Sequence, residues 1–360
     1  EGQRIRFGGR TSNAFSTRLM LNGHVAYGFK DEKWKYGCGF LYMFSKNPRI
    51  SMGFQYLHDR KQLGQSSNAF SEDNFLTSFL RRSPNKTLTM VEQHKGFIER
   101  EWFPGFSNKI TFRHEIIYPV EAVPFQIIDN DIEPVPVKNI ISSEISLNTR
   151  YAKDEKFIYG EFTRISLGSK SPVVELNLAV GLKDFPGGGY DYLKINTSIG
   201  DKVEINPFGY LRYSLKAGKI FGTLPFPLLE LHQGNETYAH DHLSFNMMNY
   251  YEFASDQYVS LWTEHHFQGL FLNRVPLIRK LKWREVVSAK GVVGSLSDNH
   301  RSVLEFPEGL HGLTKPYYEV GIGIENIFKF FRIDALWRIS YLDHENIQPF
   351  GLRVKLQVIL

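Results

Sequence analysis

The sequence is poor in several informative kinds of residue, and each shortage argues against a class of protein. One cysteine, Cys38, stands among 360 residues, so neither an internal disulfide nor a cysteine-based metal cluster can form. No stretch approaches the roughly 18 consecutive apolar residues that a membrane-spanning helix needs. The net charge of +5 is small for this length and predicts no nucleic-acid partner.

Motifs for common chemistry are missing as well. The sequence has no Gly-x-Ser-x-Gly, no His-Glu-x-x-His and no glycine-rich phosphate loop. The one compact group with metal-ligand residue types is His240, Asp241 and His242, which an exposed polar loop explains more simply than a metal site. His265 and His266 are adjacent on a predicted strand, so they face opposite sides of it. We therefore predict no enzymatic activity, no cofactor and no bound metal.

Aromatic residues are abundant, and apolar residues recur at every second position. The sequence contains 29 Phe, 18 Tyr and 5 Trp, a load that transmembrane barrels place in girdles at the membrane interfaces. In the last predicted strand, apolar residues occupy every second position: Phe350, Leu352, Val354, Leu356, Val358 and Leu360. Arg353 and Lys355 lie between them, so this period puts apolar and charged residues on opposite faces.

The same alternation recurs along the whole chain, and we count about sixteen strands. Less regular strands are predicted around Phe97, Phe162 and Val259, and another across Leu281 and Trp283. So many amphipathic strands predict an all-β fold. Their even number is typical of a transmembrane antiparallel β-barrel, here of about sixteen strands in a single domain, residues 1–360. A soluble sandwich or lipocalin-like barrel also alternates, but such domains use fewer strands and turn their charged faces to water.

Four long connections interrupt the predicted strands, at residues 59–87, 120–137, 224–255 and 295–315. With sixteen strands, the first two connections fall at one end of the barrel and the last two at the other. An ordinary barrel keeps its long loops on one side, so this count implies unusual structure on the periplasmic side. A short helix is predicted at residues 74–81.

The alternation assigns side chains to the two faces of the wall. The residues predicted to face the lumen are Arg4, Arg6, Lys33, Lys35, Arg212, Lys216, Arg284, Arg332, Asp334, Arg353 and Lys355. The residues predicted to face lipid are Ile333, Trp337, Ile339, Leu352, Val354, Leu356 and Val358. Basic residues outnumber acidic ones at the lumen positions, which would favour anions modestly in an open pore.

The segment at residues 64–82 is too apolar for a solvated loop and too long for an ordinary turn. Its aromatic residues, Phe70, Phe75 and Phe79, are candidates for docking a periplasmic domain or a partner protein. A plug packed inside the lumen explains the same residues, and the sequence leaves both interpretations open.

Several stretches resemble a family of outer-membrane proteins described as a carboxypeptidase-like regulatory domain followed by a barrel. They are Gly8-Gly9-Arg10-Thr11-Ser12, Glu252-Phe253-Ala254-Ser255-Asp256, Glu264-His265-His266-Phe267 and Leu281-Lys282-Trp283-Arg284-Glu285. The resemblance implies an immunoglobulin-like periplasmic domain ahead of Glu1. More distantly, the barrel is similar to the BamA-type assembly and translocation superfamily. That superfamily carries an Arg-Gly pair in its largest extracellular loop, whereas residues 224–255 contain no arginine.

Three functions follow as expectations. The first is an accessory or structural role in outer-membrane biogenesis or protein export, within a larger complex. The second is a passive solute channel with a mildly basic lumen, and the third is a membrane anchor for a periplasmic domain. The expected location is the outer membrane of a Gram-negative-type bacterium. The expected partners are the lipid bilayer, lipopolysaccharide, and outer-membrane or periplasmic proteins.

Overall fold

One large antiparallel sheet dominates the computed structural model, which describes residues 2–64, 81–82, 87–120, 123–127 and 134–357. The strands of the described residues are β1 (Arg4–Arg10), β2 (Leu19–Gly28), β3 (Lys33–Lys46), β4 (Arg49–Gln62), β5 (Leu88–Phe103), β6 (Phe106–Tyr118), β7 (Gln126–Ile127), β8 (Val135–Pro136), β9 (Ile140–Tyr151), β10 (Lys156–Tyr159), β11 (Arg164–Gly168), β12 (Val173–Gly181), β13 (Tyr192–Glu204), β14 (Tyr210–Phe221), β15 (Glu230–Leu231), β16 (Phe253–Ser255), β17 (Gln257–His266), β18 (Arg284–Ser295), β19 (His311–Gly312), β20 (Tyr317–Ile327), β21 (Phe331–Arg338) and β22 (Phe350–Leu356).

Fifteen of these strands form the large sheet, in the order β1-β2-β3-β4-β5-β6-β9-β12-β13-β14-β17-β18-β20-β21-β22. Each strand pairs with neighbours in the order in which the chain reaches them, so the sheet is a meander of hairpins. Along β20, Tyr318, Val320 and Ile322 are exposed, whereas the alternate residues Glu319 and Glu325 are buried. This alternation defines a buried inner face and an exposed outer face. The antiparallel pairing of the fifteen strands confirms the predicted all-β antiparallel fold.

The strand that the sequence predicts around Phe162 is not part of the large sheet. Phe162 is buried in the turn between β10 and β11, which form a separate two-stranded sheet. Strand β9 pairs directly with β12 instead. The alternation at β10 and β11 is genuine, but it identifies a strand without identifying the sheet that the strand joins. The described residues therefore place fifteen strands in the large sheet, where about sixteen are predicted.

The extra strand predicted around Phe162 also changes the end of the sheet at which the later long connections are expected. In an antiparallel meander, connections that follow the second, fourth, sixth and later even-placed strands all lie at the same end. All four long connections follow even-placed strands, namely β4, β6, β14 and β18. We call this end the loop end and the opposite one the turn end. The prediction that two long connections lie at each end is wrong, because the supposed strand at Phe162 reversed the order between them.

Contacts between the connections support this arrangement. The Glu305 backbone N–H donates to the Gln126 carbonyl oxygen at 2.8 Å, which joins the second and fourth long connections. The Arg82 backbone N–H donates to the Glu236 carbonyl oxygen at 3.0 Å, which joins the first and third. The long connections thus pack on one another at the loop end.

The prediction of a strand across Leu281 and Trp283 is also wrong. Residues Pro276–Leu281 form a short helix, α1, with Pro276 at its start and Lys282 in the left-handed conformation after its end. Strand β18 begins only at Arg284. No helix in the described part of the chain is long and apolar enough to span a membrane.

Two predictions fall outside the described residues. The docking candidates Phe70, Phe75 and Phe79 lie there, and so does nearly all of the helix predicted at residues 74–81.

Candidate functional site: the filled inner face

The third long connection, residues 224–255, packs against the inner face of the sheet, and we call it the interior connection. Phe226 is fully buried at the centre of one apolar cluster. Its ring makes edge-to-face contacts with Phe125 at 5.8 Å and Phe306 at 5.9 Å between ring centroids. Val91 and Ile117 join this cluster from β5 and β6. The interior connection thus builds an apolar core with the other long connections and with strands on one side of the sheet.

A second apolar cluster joins the interior connection to the later strands. Phe245 and Phe253 from the connection pack against Tyr317 of β20, with ring centroids 5.4 and 5.9 Å apart. Phe245 also contacts Trp262 of β17 at 5.5 Å. Trp262 is 8% exposed and lies on the inner face, so this aromatic residue belongs to the core and not to a lipid-facing girdle.

Charged side chains of the inner face bind the interior connection directly. The Arg338 guanidinium on β21 donates to the Glu252 carboxylate, with Nη1 at 2.9 Å from Oε2. Arg353 on β22 donates through Nη2 to the Asn246 carbonyl oxygen at 2.8 Å. Both arginines are at most 2% exposed. Because buried charges are costly without partners, these contacts fix the connection against the last two strands.

Two further inner-face charges hold the backbone of the same segment. The Glu319 carboxylate on β20 accepts hydrogen bonds from the backbone N–H groups of Asn246 and Met247, both at 2.9 Å. The Lys290 ammonium on β18 donates to the carbonyl oxygens of Asp241 at 3.0 Å and Ser244 at 2.6 Å. The strands thus satisfy backbone groups that a buried loop would otherwise leave without partners.

Two asparagines organise the tip of the interior connection. The Asn235 side-chain amide donates to Ala239 O at 2.8 Å and to the Asn246 Oδ1 at 2.7 Å. Asn246 Oδ1 also accepts from the Asp241 backbone N–H at 2.8 Å. Both asparagines are at most 3% exposed. Periodicity in the sequence could not identify these asparagines, because irregular backbone has no repeating pattern.

A layer of paired charges lies beside this segment on the inner face. Arg332 on β21 contacts Asp334 at 2.7 Å and Glu264 of β17 at 3.1 Å. His266 Nδ1 lies 3.1 Å from a Glu325 carboxylate oxygen on β20. These residues come from three strands, so the layer ties β17, β20 and β21 together through ion pairs and hydrogen bonds.

The histidines predicted as a weak metal candidate do not form a site. His240 is buried, whereas His242 is exposed and Asp241 accepts a hydrogen bond from the Leu243 backbone N–H. Burial lowers the pKa of His232 to about 4 and holds the pKa of His240 well below its usual range. Across the part of the chain that the structure describes, no group of three or more His, Cys, Asp or Glu has metal-binding geometry.

His265 and His266 lie on opposite faces of β17, as predicted from their adjacency. His265 Nε2 is 2.8 Å from the Phe208 carbonyl oxygen at the turn end, whereas His266 is buried on the inner face. They cannot act on one ligand.

The residues predicted to face the lumen fall into three groups by burial. Those buried are Lys35, Arg332, Asp334 and Arg353; those half-buried are Arg4, Lys216, Arg284 and Lys355; those exposed are Arg6, Lys33 and Arg212. The buried members are engaged with protein groups, as in the Lys35–Asp31 pair at 2.8 Å. Sequence reasoning did not single out Trp262, whose ring lies 4.3 Å from the Lys216 ammonium, or Glu252, which binds Arg338 from the interior connection.

The residues predicted to face lipid are exposed wherever the structure describes them. They are Ile333, Trp337, Ile339, Leu352, Val354 and Leu356, at 37–54% exposure, while Val358 lies outside the described residues. Ile339 follows the last residue of β21.

The outer edge of β22 pairs with the interior connection. The Val354 backbone N–H donates to the Tyr238 carbonyl oxygen, and the His240 backbone N–H donates to the Val354 carbonyl oxygen, both at 2.8 Å. Residue Ala239 forms a parallel bridge with Val354. At this point β22 has β21 on one side and the interior connection on the other.

Solved structures similar to this chain are outer-membrane barrels. BamA from Haemophilus ducreyi, lacking POTRA domains 1–3, has a TM-score of 0.58 at 10% identity and aligns over 98% of this chain and 69% of its own. CdiB from Acinetobacter baumannii has a TM-score of 0.47 at 9% identity, over 98% of this chain and 55% of its own. OccK10 (OpdN) from Pseudomonas aeruginosa has a TM-score of 0.36 at 9% identity, over 98% and 91%.

The likeness to BamA supports a common fold and nothing beyond it, and the other two scores are too low to add to the argument. No curated protein matches the sequence. A family model described as "Family of unknown function (DUF5686) C-terminal domain" matches residues 1–303. The chain therefore belongs to the DUF5686 family and comprises its C-terminal domain.

Proposed function

We propose that this chain is a transmembrane β-barrel of the outer membrane with an accessory or structural role in outer-membrane biogenesis or protein export. The observation that carries the proposal is the filled inner face. Glu319, Lys290, Arg338 and Arg353 bind the interior connection, whereas a channel would leave such charges to solvent and solute. The wall therefore serves a purpose other than passive conduction.

The outer face supports the membrane location. Its exposed apolar residues follow the strands at every second position, as on Val287, Ile322 and Leu352. Exposing such a surface to water is unfavourable in free energy, whereas the hydrocarbon of a bilayer accommodates it. The long connections share one end, as in ordinary barrels, where that end is extracellular.

Conductance separates this proposal from the passive channel. We expect purified full-length protein in planar bilayers to show no steady conductance. The His232 backbone N–H donates to the Phe253 carbonyl oxygen at 3.0 Å, next to the paired strands β15 and β16. Replacing residues 234–251 by an Asn-Gly turn therefore respects the geometry of β15 and β16, and we expect this variant to conduct.

The matched control removes a hairpin from the turn end. Lys156 and Gly168 are register partners, so an Asn-Gly turn can replace residues 157–167 in the same way. We expect this variant to stay non-conducting. Steady conductance of the unmodified protein would overturn the filled interior and favour the channel.

Depletion in the native bacterium separates an accessory role from an anchor. We expect loss of the protein to lower the amounts of other outer-membrane barrels or exported proteins several-fold, measured by quantitative proteomics of isolated outer membranes. Re-expression of the full-length protein is expected to restore them. Unchanged levels of those proteins, with loss only of the protein's own periplasmic portion from the membrane, would favour the anchor.

A further inference from the structure

The connection between β17 and β18 combines exposed apolar residues with an excess of basic ones. Residues 267–283 contain four Arg and Lys residues and no Asp or Glu. The connection follows the eleventh strand of the large sheet, so it lies at the turn end. Phe271, Val275, Leu277 and Leu281 are 44–79% exposed, and Leu277 has the highest value. Exposed apolar residues grouped in this way indicate a surface that contacts something other than water.

We propose that this connection lies on the periplasmic surface of the bilayer and binds anionic phospholipid there. The inference rests on the proposed barrel and deepens it, because it names the lipid chemistry that one segment recognises. In ordinary barrels the end with the long loops is extracellular, so the turn end is periplasmic. Segments that lie in a membrane interface carry apolar side chains on one side and Lys and Arg beside them.

Helix α1 presents the apolar side of the connection. Leu277 and Leu281 are four residues apart, so they lie on the same side of the helix, and both are exposed. Ile278, the next residue along the helix, is half-buried. The helix therefore rests on the protein along one side and leaves the two leucines uncovered. Their insertion among lipid acyl chains would remove this apolar surface from water.

The basic residues of the connection flank its apolar side. Arg274, Arg279, Lys280 and Lys282 are all exposed. Within the described residues, none of the four side chains forms an ion pair. Each Lys or Arg close to an anionic membrane surface strengthens binding about fivefold. The charge of this connection is therefore complementary to anionic headgroups and favours them over zwitterionic ones.

Contacts with the outer face place the connection beside the lipid-facing wall. Glu285 of β18 is the register partner of Ile324 on the outer face. Its carboxylate accepts a hydrogen bond from the Phe271 backbone N–H at 3.0 Å. The Phe267 ring lies 4.3 Å from the ring of His265 and 5.3 Å from that of Phe271, between centroids. Because His265 is on the outer face of β17, the connection continues that face beyond the strand ends.

The neighbouring turns extend the exposed apolar surface on both sides. Phe208, in the turn between β13 and β14, is 52% exposed, and its carbonyl oxygen lies 2.8 Å from His265 Nε2. On the other side, Asn326 Nδ2 donates to the Lys282 carbonyl oxygen at 2.7 Å. Phe328 follows in the same turn and is 80% exposed. This continuity with the outer face favours a lipid surface over a separate protein as the occupant.

Fluorescent labels at single cysteines test the location in the full-length protein. In a Cys38→Ala background, Leu277→Cys carries an NBD label, and the protein is refolded into vesicles of phosphatidylcholine and phosphatidylglycerol. We expect a lipid with a nitroxide near its headgroup to quench this label, and iodide on both sides of the membrane to leave it bright. Lys170→Cys is the matched control, since Lys170 precedes β12 at the turn end and its side chain is 76% exposed. Its label is expected to be quenched by iodide.

A third label separates failure of this inference from failure of the proposed barrel. Ile322→Cys lies midway along β20 on the outer face, and a lipid with a deep nitroxide is expected to quench its label. Quenching of the Leu277→Cys label by iodide, with the Ile322→Cys label in lipid, would overturn the interfacial location alone. A Leu277→Cys label that neither quencher reaches would do the same and would favour a covering protein. An Ile322→Cys label quenched by iodide would count against the barrel itself.

The preference for anionic lipid is measured with the same Leu277→Cys label. Quenching by nitroxide-labelled phosphatidylglycerol is compared with quenching by nitroxide-labelled phosphatidylcholine. We expect a local preference of about fivefold or more for phosphatidylglycerol at low salt, weakened by high salt. Combined replacement of the four basic residues by Gln is expected to bring the ratio close to one, whereas Lys170→Gln leaves it unchanged. Equal quenching by the two lipids before any charge is removed would refute the binding of anionic phospholipid.

Discussion

Replacing Ile322 with arginine is expected to prevent stable insertion of the protein into the outer membrane. Ile322 is 57% exposed at the middle of β20, and its register partners are Val287 on β18 and Ala335 on β21. It therefore lies midway along its strand on the outer face, with an apolar residue beside it on each neighbouring strand. An arginine on the lipid-facing side near the bilayer midplane costs about 2–4 kcal/mol. The measurement is the fraction of heat-modifiable, folded protein in isolated outer membranes.

A second arginine substitution provides the control for depth. Phe328 is 80% exposed in the turn between β20 and β21, where a barrel meets the membrane interface or water. Phe328→Arg is expected to cost at most about 1 kcal/mol, since the penalty falls towards the interface. Equal folding of the Ile322→Arg and Phe328→Arg proteins would contradict the assignment of the outer face to lipid.

Replacing Glu252 with alanine is expected to destabilise the folded protein strongly. The Glu252 carboxylate accepts hydrogen bonds from Arg338 and from the Asn249 backbone N–H, both at 2.9 Å, and it lies 3.1 Å from His344 Nδ1. Its removal leaves the Arg338 guanidinium buried without its anionic partner, which typically costs about 3–5 kcal/mol. The measurement is the midpoint of urea unfolding, followed by the loss of the heat-modifiable band.

The matched control removes a carboxylate from an exposed ion pair. Glu204 lies 2.6 Å from Lys202, and both side chains are about half exposed. Glu204→Gln is expected to shift stability by less than about 1 kcal/mol. Similar unfolding midpoints for the Glu252→Ala and Glu204→Gln proteins would show that the interior connection does not depend on the contact with Arg338.

The faces of the strands followed from the sequence because side chains alternate by backbone geometry alone. Arg332 and Asp334 are buried while Ile333 is exposed, as the two-residue period predicts. The same period could not say which sheet a strand joins. The period therefore predicts a wall strand around Phe162, whereas β10 and β11 form a separate sheet, and this one extra strand shifts the expected ends of the later connections.

The contents of the inner face were much less predictable. The interior connection has irregular backbone, and its buried groups are satisfied by partners far away in sequence, such as Asn246 with Glu319. Trp262 shows a related difficulty. Its strand alternates, but residue type alone does not distinguish an aromatic side chain packed in a core from one packed in lipid. Such assignments need the three-dimensional neighbours.

The arginines of the last strands have a consequence for the order of assembly. Arg338 and Arg353 project from β21 and β22, and their guanidinium groups are enclosed against the interior connection. Docking of these strands over an empty interior would leave the two guanidinium groups in water, and they would have to lose that hydration when the interior connection packed against them later. The acceptors are in place at docking when the interior connection folds against the earlier strands first. The C-terminal hairpin then packs onto a finished interior.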